Sequence, residues 1–155
     1  MNKKQVYLTK TSQETKKLAY NFSKRLKPGD FLAFYGNLGS GKTTFIQGLA
    51  EGLGINARII SPTFIIIRTY KINNQKSIIK NQDQRPKAFY HIDLYRTESK
   101  NDLLELGIDE IIEDKNNIIA VEWAEKMKDM LPDKRIELHF KYVDENTREI
   151  SIKYI

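Results

Sequence analysis

The sequence predicts a three-layer α/β sandwich, with helices on both faces of a mixed, partly parallel sheet and an antiparallel hairpin at the C-terminus. Three observations carry that reading. Apolar, β-rich runs alternate with helix-periodic segments along the 155 residues, the pattern of strand–helix–strand crossovers. "FLAFY" (31–35) and "NNIIAVEW" (116–123) contain near-continuous apolar stretches, which suits strands covered on both faces. "RIELHFKYV" and "REISIKYI", joined by "DENT", close the chain as two strands and a turn.

The elements follow in order. "QVYLT" reads as a short strand. "TSQET" opens a helix, with Thr11 as N-cap and Glu14 three residues on as its capping-box partner. Leu18, Phe22 and Leu26 recur every four residues and supply its buried stripe. "KPGD" is a turn, "FLAFY" a strand, and "KTTFIQGLAEGL" a helix stopped near Gly54. "TFIIIRTY" (63–70) is β-branched and aromatic, hence strand. The polar stretch 71–87 carries five basic residues and one acid and reads as a long loop or ragged hairpin. "AFYHIDLY" is a strand, "NDLLELGIDEII" helical, and "AEKMKDML" a short helix ended by Pro132. No internal repeat is present, and 1–155 reads as one domain.

Composition narrows the class. The chain is 40% hydrophobic and 30% charged, with no cysteine, so disulfides and thiolate metal sites are excluded. "MNKKQVYLTK" has charge but no apolar stretch behind it, so no signal peptide is expected. No apolar run approaches the roughly 20 residues of a membrane helix, and the cytoplasm is the expected location. The net charge of +6 is uneven, with 17 Lys/Arg against 5 Asp/Glu over residues 1–97 and 9 against 15 over 98–155. That asymmetry fits a basic face for nucleic acid or an acidic partner, and equally fits plain surface decoration.

The chemistry concentrates at residues 36–45, "GNLGSGKTTF", where three of the eight glycines fall within six positions. Gly36, Gly41, Lys42 and Thr43 match G-x-x-x-x-G-K-[ST], with a strand before and a helix after. Glycines let successive backbone N–H groups converge on an anion, and the helix start adds its free N–H groups and positive dipole end. The whole turn Gly36, Asn37, Leu38, Gly39, Ser40, Gly41, Lys42, Thr43 and Thr44 is therefore expected to cradle phosphates, in the manner of a P-loop NTPase. Lys42 would reach the outer phosphates and the Thr43 hydroxyl would bind Mg²⁺.

Such a loop needs an acid for the metal and a group to place the nucleophile. Ligands of open α/β sheets collect at the carboxyl ends of strands, and two acids are expected there. Glu122 ends "IIAV", where a charge is costly unless it faces a site or solvent. Asp93 shares a face of "YHIDLYR" with Phe89, His91 and Tyr95, and aspartate is depleted in strands. Either a site or a solvated outer face explains Asp93. Trp123, the only tryptophan, is expected to pack, and His91 to be structural. In "SPTF" (61–64), Pro62 stiffens a turn whose Ser61 and Thr63 hydroxyls either reach a γ-phosphate or cap the turn.

The ordered set "GNLGSGKTTF", "SPTF", "YHIDLYR", "ELGIDE" and "VEWAE", then "LP" before the closing hairpin, resembles the TsaE family from about Val6 to Ile152. The resemblance implies a small Mg²⁺-dependent ATPase of bacterial tRNA threonylcarbamoyladenosine biosynthesis. It implies two partners, the threonylcarbamoyl transferase and its inactive homologue, which as a heterodimer modify the adenosine beside the anticodon in tRNAs reading codons that begin with A. ATP binding and hydrolysis would reset that complex between turnovers, so contact with tRNA is indirect. By position, the resemblance gives Lys42, Asp93 and Glu122 the catalytic work, with Thr43 and Glu122 on Mg²⁺. Thr63 falls in a switch-like segment, and Thr11 and Arg148 on the adenine side. The 71–87 stretch is longer and more basic than the family pattern, as a decorated hairpin tip or as a contact for tRNA or an acidic partner.

Two other functions fit the loop. A small-molecule kinase would need an arginine-rich lid, and the nearest candidate, 71–87, has one arginine. A nucleotide-gated adaptor would use bound ATP to hold a partner surface, with hydrolysis as its off-switch. No N-K-x-D run supports guanine recognition.

Overall fold

A computed structural model describes residues 3–60, 66–81, 83 and 85–155. In chain order the elements are β1 (Gln5–Thr9), α1 (Ser12–Ser23), β2 (Phe31–Tyr35), α2 (Lys42–Gly52), β3 (Ile67–Lys71), β4 (Ala88–Asp93), α3 (Lys100–Glu105), α4 (Ile108–Glu113), β5 (Ile118–Glu122), a 3-10 segment (Ala124–Met130), β6 (Ile136–Tyr142) and β7 (Arg148–Tyr154).

All seven strands form one sheet in the order β1-β7-β6-β2-β5-β4-β3. The four central strands β6, β2, β5 and β4 pair in parallel, and β1, β7 and β3 add antiparallel edges. This is the mixed sheet with a closing hairpin that the apolar pattern predicts. In β2, alternate residues serve opposite layers. Leu32 and Phe34 face a core shared with Phe45, Ile46 and Leu49 of α2. Phe31 and Ala33 face a second core that includes Leu103, Ile108 and Met127. Phe34, Phe45 and Phe140 pack with ring centroids 5.6–6.0 Å apart, each pair contributing about 0.5–1.5 kcal/mol beyond its buried area.

Helix α1 begins as its sequence requires, with one shift. Thr11 Oγ1 accepts from the Glu14 N–H at 3.0 Å, but the Glu14 carboxylate reaches back past the cap to the Lys10 N–H at 2.6 Å. Close contact between α1 and α2 depends on Gly48, where a Cβ would lie 2.3 Å from the Lys16 carbonyl oxygen and 2.8 Å from Ala19 Cβ. That approach brings the start of α1 beside the start of α2.

Several boundaries differ from the sequence reading. Helix α1 ends at Ser23, so Leu26 is buried from the following turn rather than from the helix. The strand expected over 63–70 is found from Ile67; residues 61–65, and with them Thr63, lie outside the described residues. "NDLLELGIDEII" is two six-residue helices divided at Leu106–Gly107. "AEKMKDML" adopts 3-10 geometry broken at Lys128 (φ 49°, ψ −118°).

The 71–87 stretch connects the antiparallel β3–β4 pair, and it is more than a decorated tip. Ile72 and Ile79 are buried in the α2-side core, Ser77 is buried, and the Ile78 N–H donates to the Gly52 carbonyl at 2.9 Å. Lys71, Lys76, Lys80 and Lys87 remain exposed. Apolar residues at this spacing among lysines anchor the loop under the C-terminal end of α2. Among the described residues, no helix is long and apolar enough to cross a membrane.

Candidate functional site

The glycine turn joins β2 to α2 at the carboxyl edge of the parallel strands. Gly36 adopts φ +145°, and a Cβ there would sit 2.7 Å from both the Phe140 carbonyl oxygen and Ser40 Oγ. Only glycine lets the backbone turn in that space. The turn closes with Ser40 N–H donating to the Asn37 carbonyl at 3.1 Å.

Lys42, the first residue of α2, is 4% exposed. Its ammonium donates to the Gly36 and Asn37 carbonyls at 2.6 and 3.0 Å and lies 4.6 Å from the centre of the Trp123 ring. Burial pulls Lys42 below the ordinary lysine range, while Glu122, Glu125 and Asp93 push it back up. A buried ammonium held on carbonyls inside a glycine turn is a cation aimed where an anion would sit.

The acids arrive on neighbouring strands. Glu122 ends β5 and Asp93 ends β4, and the two are register partners across the parallel pair. Both are buried. Thr43 Oγ1 donates to Glu122 Oε1 at 2.9 Å, so the loop hydroxyl and the strand-end carboxylate share one point. Asp93 Oδ1 accepts from the Tyr95 N–H at 3.0 Å. This places Asp93 beside the site and sets aside the solvated outer face. His91 Nε2 bonds Glu122 Oε2 at 2.7 Å.

A cavity of about 530 Å³ opens over these groups. Of the residues expected to bind nucleotide, Thr11, Leu38, Gly39, Ser40, Gly41, Lys42, Thr43, Thr44 and Arg148 line it, as do Asp93 and Glu122. Gly36 and Asn37 are not among the lining residues; their carbonyls accept from Lys42. Arg148 donates through Nη1 to the Asp144 and Thr147 carbonyls at 2.7 and 3.0 Å and through Nη2 to the Gly39 carbonyl at 3.2 Å. It thereby ties the β6–β7 turn to the glycine loop. Its guanidinium also stacks 4.7 Å from the Tyr142 ring.

Sequence reasoning missed Ser12, Thr15, Tyr95, Glu145 and Asn146, which also line the cavity. Glu145 and Asn146 lie in "DENT", a polar turn by composition; nothing local signals that β6 pairs with β2 and carries the turn over the loop. Trp123 packs on Tyr95 (5.1 Å between ring centres), as the sequence predicts. It also lines the cavity in the left-handed region, φ 59° and ψ 43°, a conformation that costs a non-glycine residue roughly 1–3 kcal/mol and clusters at functional sites.

The donor set suits magnesium. A hydroxyl and a carboxylate are hard oxygen ligands, and Mg²⁺ takes one or two carboxylates together with substrate phosphates and water.

Comparison with known proteins decides the family. The model of the family described as "Threonylcarbamoyl adenosine biosynthesis protein TsaE" matches residues 9–150. The chain belongs to the TsaE family. A Rickettsia felis TsaE is 39% identical over 141 residues, spanning 90% of this chain and 74% of the relative. The TsaE of Bacillus subtilis strain 168 is 38% identical over 143 residues, spanning 92% and 81%. Both are named as tRNA threonylcarbamoyladenosine biosynthesis proteins. The crystal structure of Bacillus subtilis YdiB superposes with a TM-score of 0.76 at 32% identity, covering all of this chain and 88% of that one. The TsaE match begins at the end of β1 and stops within β7, so it contains the whole glycine loop, both acids and the turn of the closing hairpin.

Proposed function

We propose that this TsaE-family chain is a weak, Mg²⁺-dependent ATPase serving threonylcarbamoyladenosine formation on tRNA. In this reading it acts with the threonylcarbamoyl transferase and its inactive homologue, and hydrolysis of ATP to ADP and phosphate resets that complex. The observation that carries it is the meeting of Thr43 and Glu122 beneath a buried Lys42, in a chain of this family.

The residues divide the work as follows. Backbone amides of the 36–43 turn and the start of α2 bind the phosphates. Lys42 exchanges its two carbonyl acceptors for outer phosphate oxygens. Thr43 and Glu122 would hold Mg²⁺, which when bound would offset phosphate charge. Asp93, level with Glu122, would orient the attacking water. Thr11 and Arg148 flank the mouth where the base would lie. Among the described residues, Arg148 is the arginine that lines the cavity, and it is committed to backbone carbonyls. In this reading the rate in isolation is slow and the partners raise it.

The kinase reading required a lid from 71–87. That stretch is anchored at Gly52, roughly 15 Å along α2 from Lys42 at 1.5 Å per residue. Reconstitution tests the proposal: the transferase pair, tRNA and threonylcarbamoyl-adenylate, with and without this protein and ATP. Multiple turnovers should require both. Equal modification without this protein, or sustained turnover with a non-hydrolysable analogue, would overturn it.

A further inference from the structure

Glu122 is gripped from two sides. Its Oε1 accepts from the Thr43 hydroxyl, and its Oε2 is bonded to His91 Nε2 at 2.7 Å. His91 lies on β4, where it is the register partner of Ala120, two residues before Glu122. It is wholly buried, and its Nδ1 meets no hydrogen-bond partner among the described residues. A carboxylate accepts, so Nε2 carries a proton and donates.

Core packing does not call for such a residue. An aliphatic side chain would fill the space without leaving a polar nitrogen unsatisfied, a cost that native interiors avoid. The one thing the imidazole supplies here is a fixed N–H under Oε2. The terminal torsion of a glutamate is broad and roughly two-fold, so the strand alone does not decide which way the carboxylate plane lies. With Oε2 tethered inward, Oε1 is left facing Thr43 and the cavity.

We propose that His91 is a positioning residue, which holds the Glu122 carboxylate in the rotation needed to meet a divalent metal beside Thr43. The proposal rests on the reading of Thr43 and Glu122 as metal ligands. Partners of this kind, one bond behind a ligand, typically alter metal affinity about 10–100-fold when removed.

The test is Mn²⁺ binding to the ADP-loaded full chain, followed by electron paramagnetic resonance, alongside ADP affinity in EDTA and thermal unfolding. His91→Asn removes the reach to Glu122 while keeping a small polar side chain, and His91→Gln restores an amide N–H near the Nε2 position. His91→Asn should weaken Mn²⁺ binding about ten-fold or more with metal-free ADP affinity unchanged, and His91→Gln should recover most of it. Wild-type Mn²⁺ affinity in His91→Asn, equal losses with and without metal, or a folded His91→Gln as weak as His91→Asn would each overturn the proposal. Should His91→Asn not fold, a His91→Gln protein that has lost ten-fold in Mn²⁺ affinity overturns it, and one near wild type supports it. Glu122→Gln separates the underlying reading. If it binds Mn²⁺ like the wild type, the ligand assignment falls and takes this proposal with it; if it alone loses Mn²⁺ while His91→Asn does not, only the role of His91 falls.

Discussion

Thr43 and Glu122 are 79 positions apart in the chain, and their side chains meet at 2.9 Å. The contact joins the first turn of α2, the helix that follows β2, to the end of β5, the parallel neighbour of β2. It is the point at which the glycine loop gains a carboxylate.

Removing the acid should therefore remove the metal dependence. Glu122→Ala is expected to lower Mg²⁺-dependent hydrolysis by roughly 10²-fold or more, the scale of losing a group that stabilises transition-state charge. Initial rates across a Mg²⁺ titration check this, and an unchanged titration rejects Glu122 as a ligand.

Lys42 is expected to be indispensable. Its ammonium already sits on the carbonyls of the turn, and Lys42→Ala leaves the proposed phosphate site without its side-chain cation. Nucleotide binding by calorimetry and phosphate release should both fall to background. Near-normal turnover would remove the central claim.

Trp123 should report occupancy. Its ring lies 4.6 Å from the Lys42 ammonium, so withdrawal of that cation toward phosphates changes the indole's surroundings. As the chain has one tryptophan, any change in indole emission on adding ADP is assigned without ambiguity. Emission that stays flat through a titration verified by calorimetry refutes the coupling.

Gly48→Ala tests the α1–α2 contact. Its added methyl would stand 2.3 Å from a backbone oxygen, which no rotamer relieves. Overpacking of this kind costs about 1–3 kcal/mol, measurable by urea denaturation. Displacement of α1 should also weaken nucleotide affinity, because Thr11, Ser12 and Thr15 line the cavity. An unaltered midpoint shows that the helices yield freely.

At the hairpin, acid should expose one ion pair. Burial pushes Glu137 up, but hydrogen bonds and charge from Arg135 and His139 outweigh it and hold its pKa below the usual range. A carboxylate depressed on folding adds stability above its unfolded pKa and loses it as pH falls through the folded one. Arg135→Gln should thus narrow the stability difference between pH 7 and pH 3 in urea titrations. A difference that matches the wild type excludes the linkage.

Local sequence decided a good deal. The glycine turn, the Thr11 cap and the buried character of β2 and β5 follow from residue chemistry over a few positions, because backbone freedom, capping and two-sided burial are short-range demands. Glu122 and Asp93 were legible for the same reason: a charge at the end of an apolar strand needs an explanation. Segment 71–87 is the hairpin connection that its composition suggests, but its anchoring by two isoleucines is hidden among the lysines that dominate it.

What local sequence left open, tertiary structure settled through strand order. Parallel pairing of β5 with both β2 and β4 sets Glu122 against Thr43 and turns His91 beneath it. Pairing of β6 with β2 swings the terminal hairpin, Arg148 and Asn146 included, over the loop. Such neighbours are separated by tens of residues and chosen by how two cores pack on one sheet, and no window of sequence contains that choice.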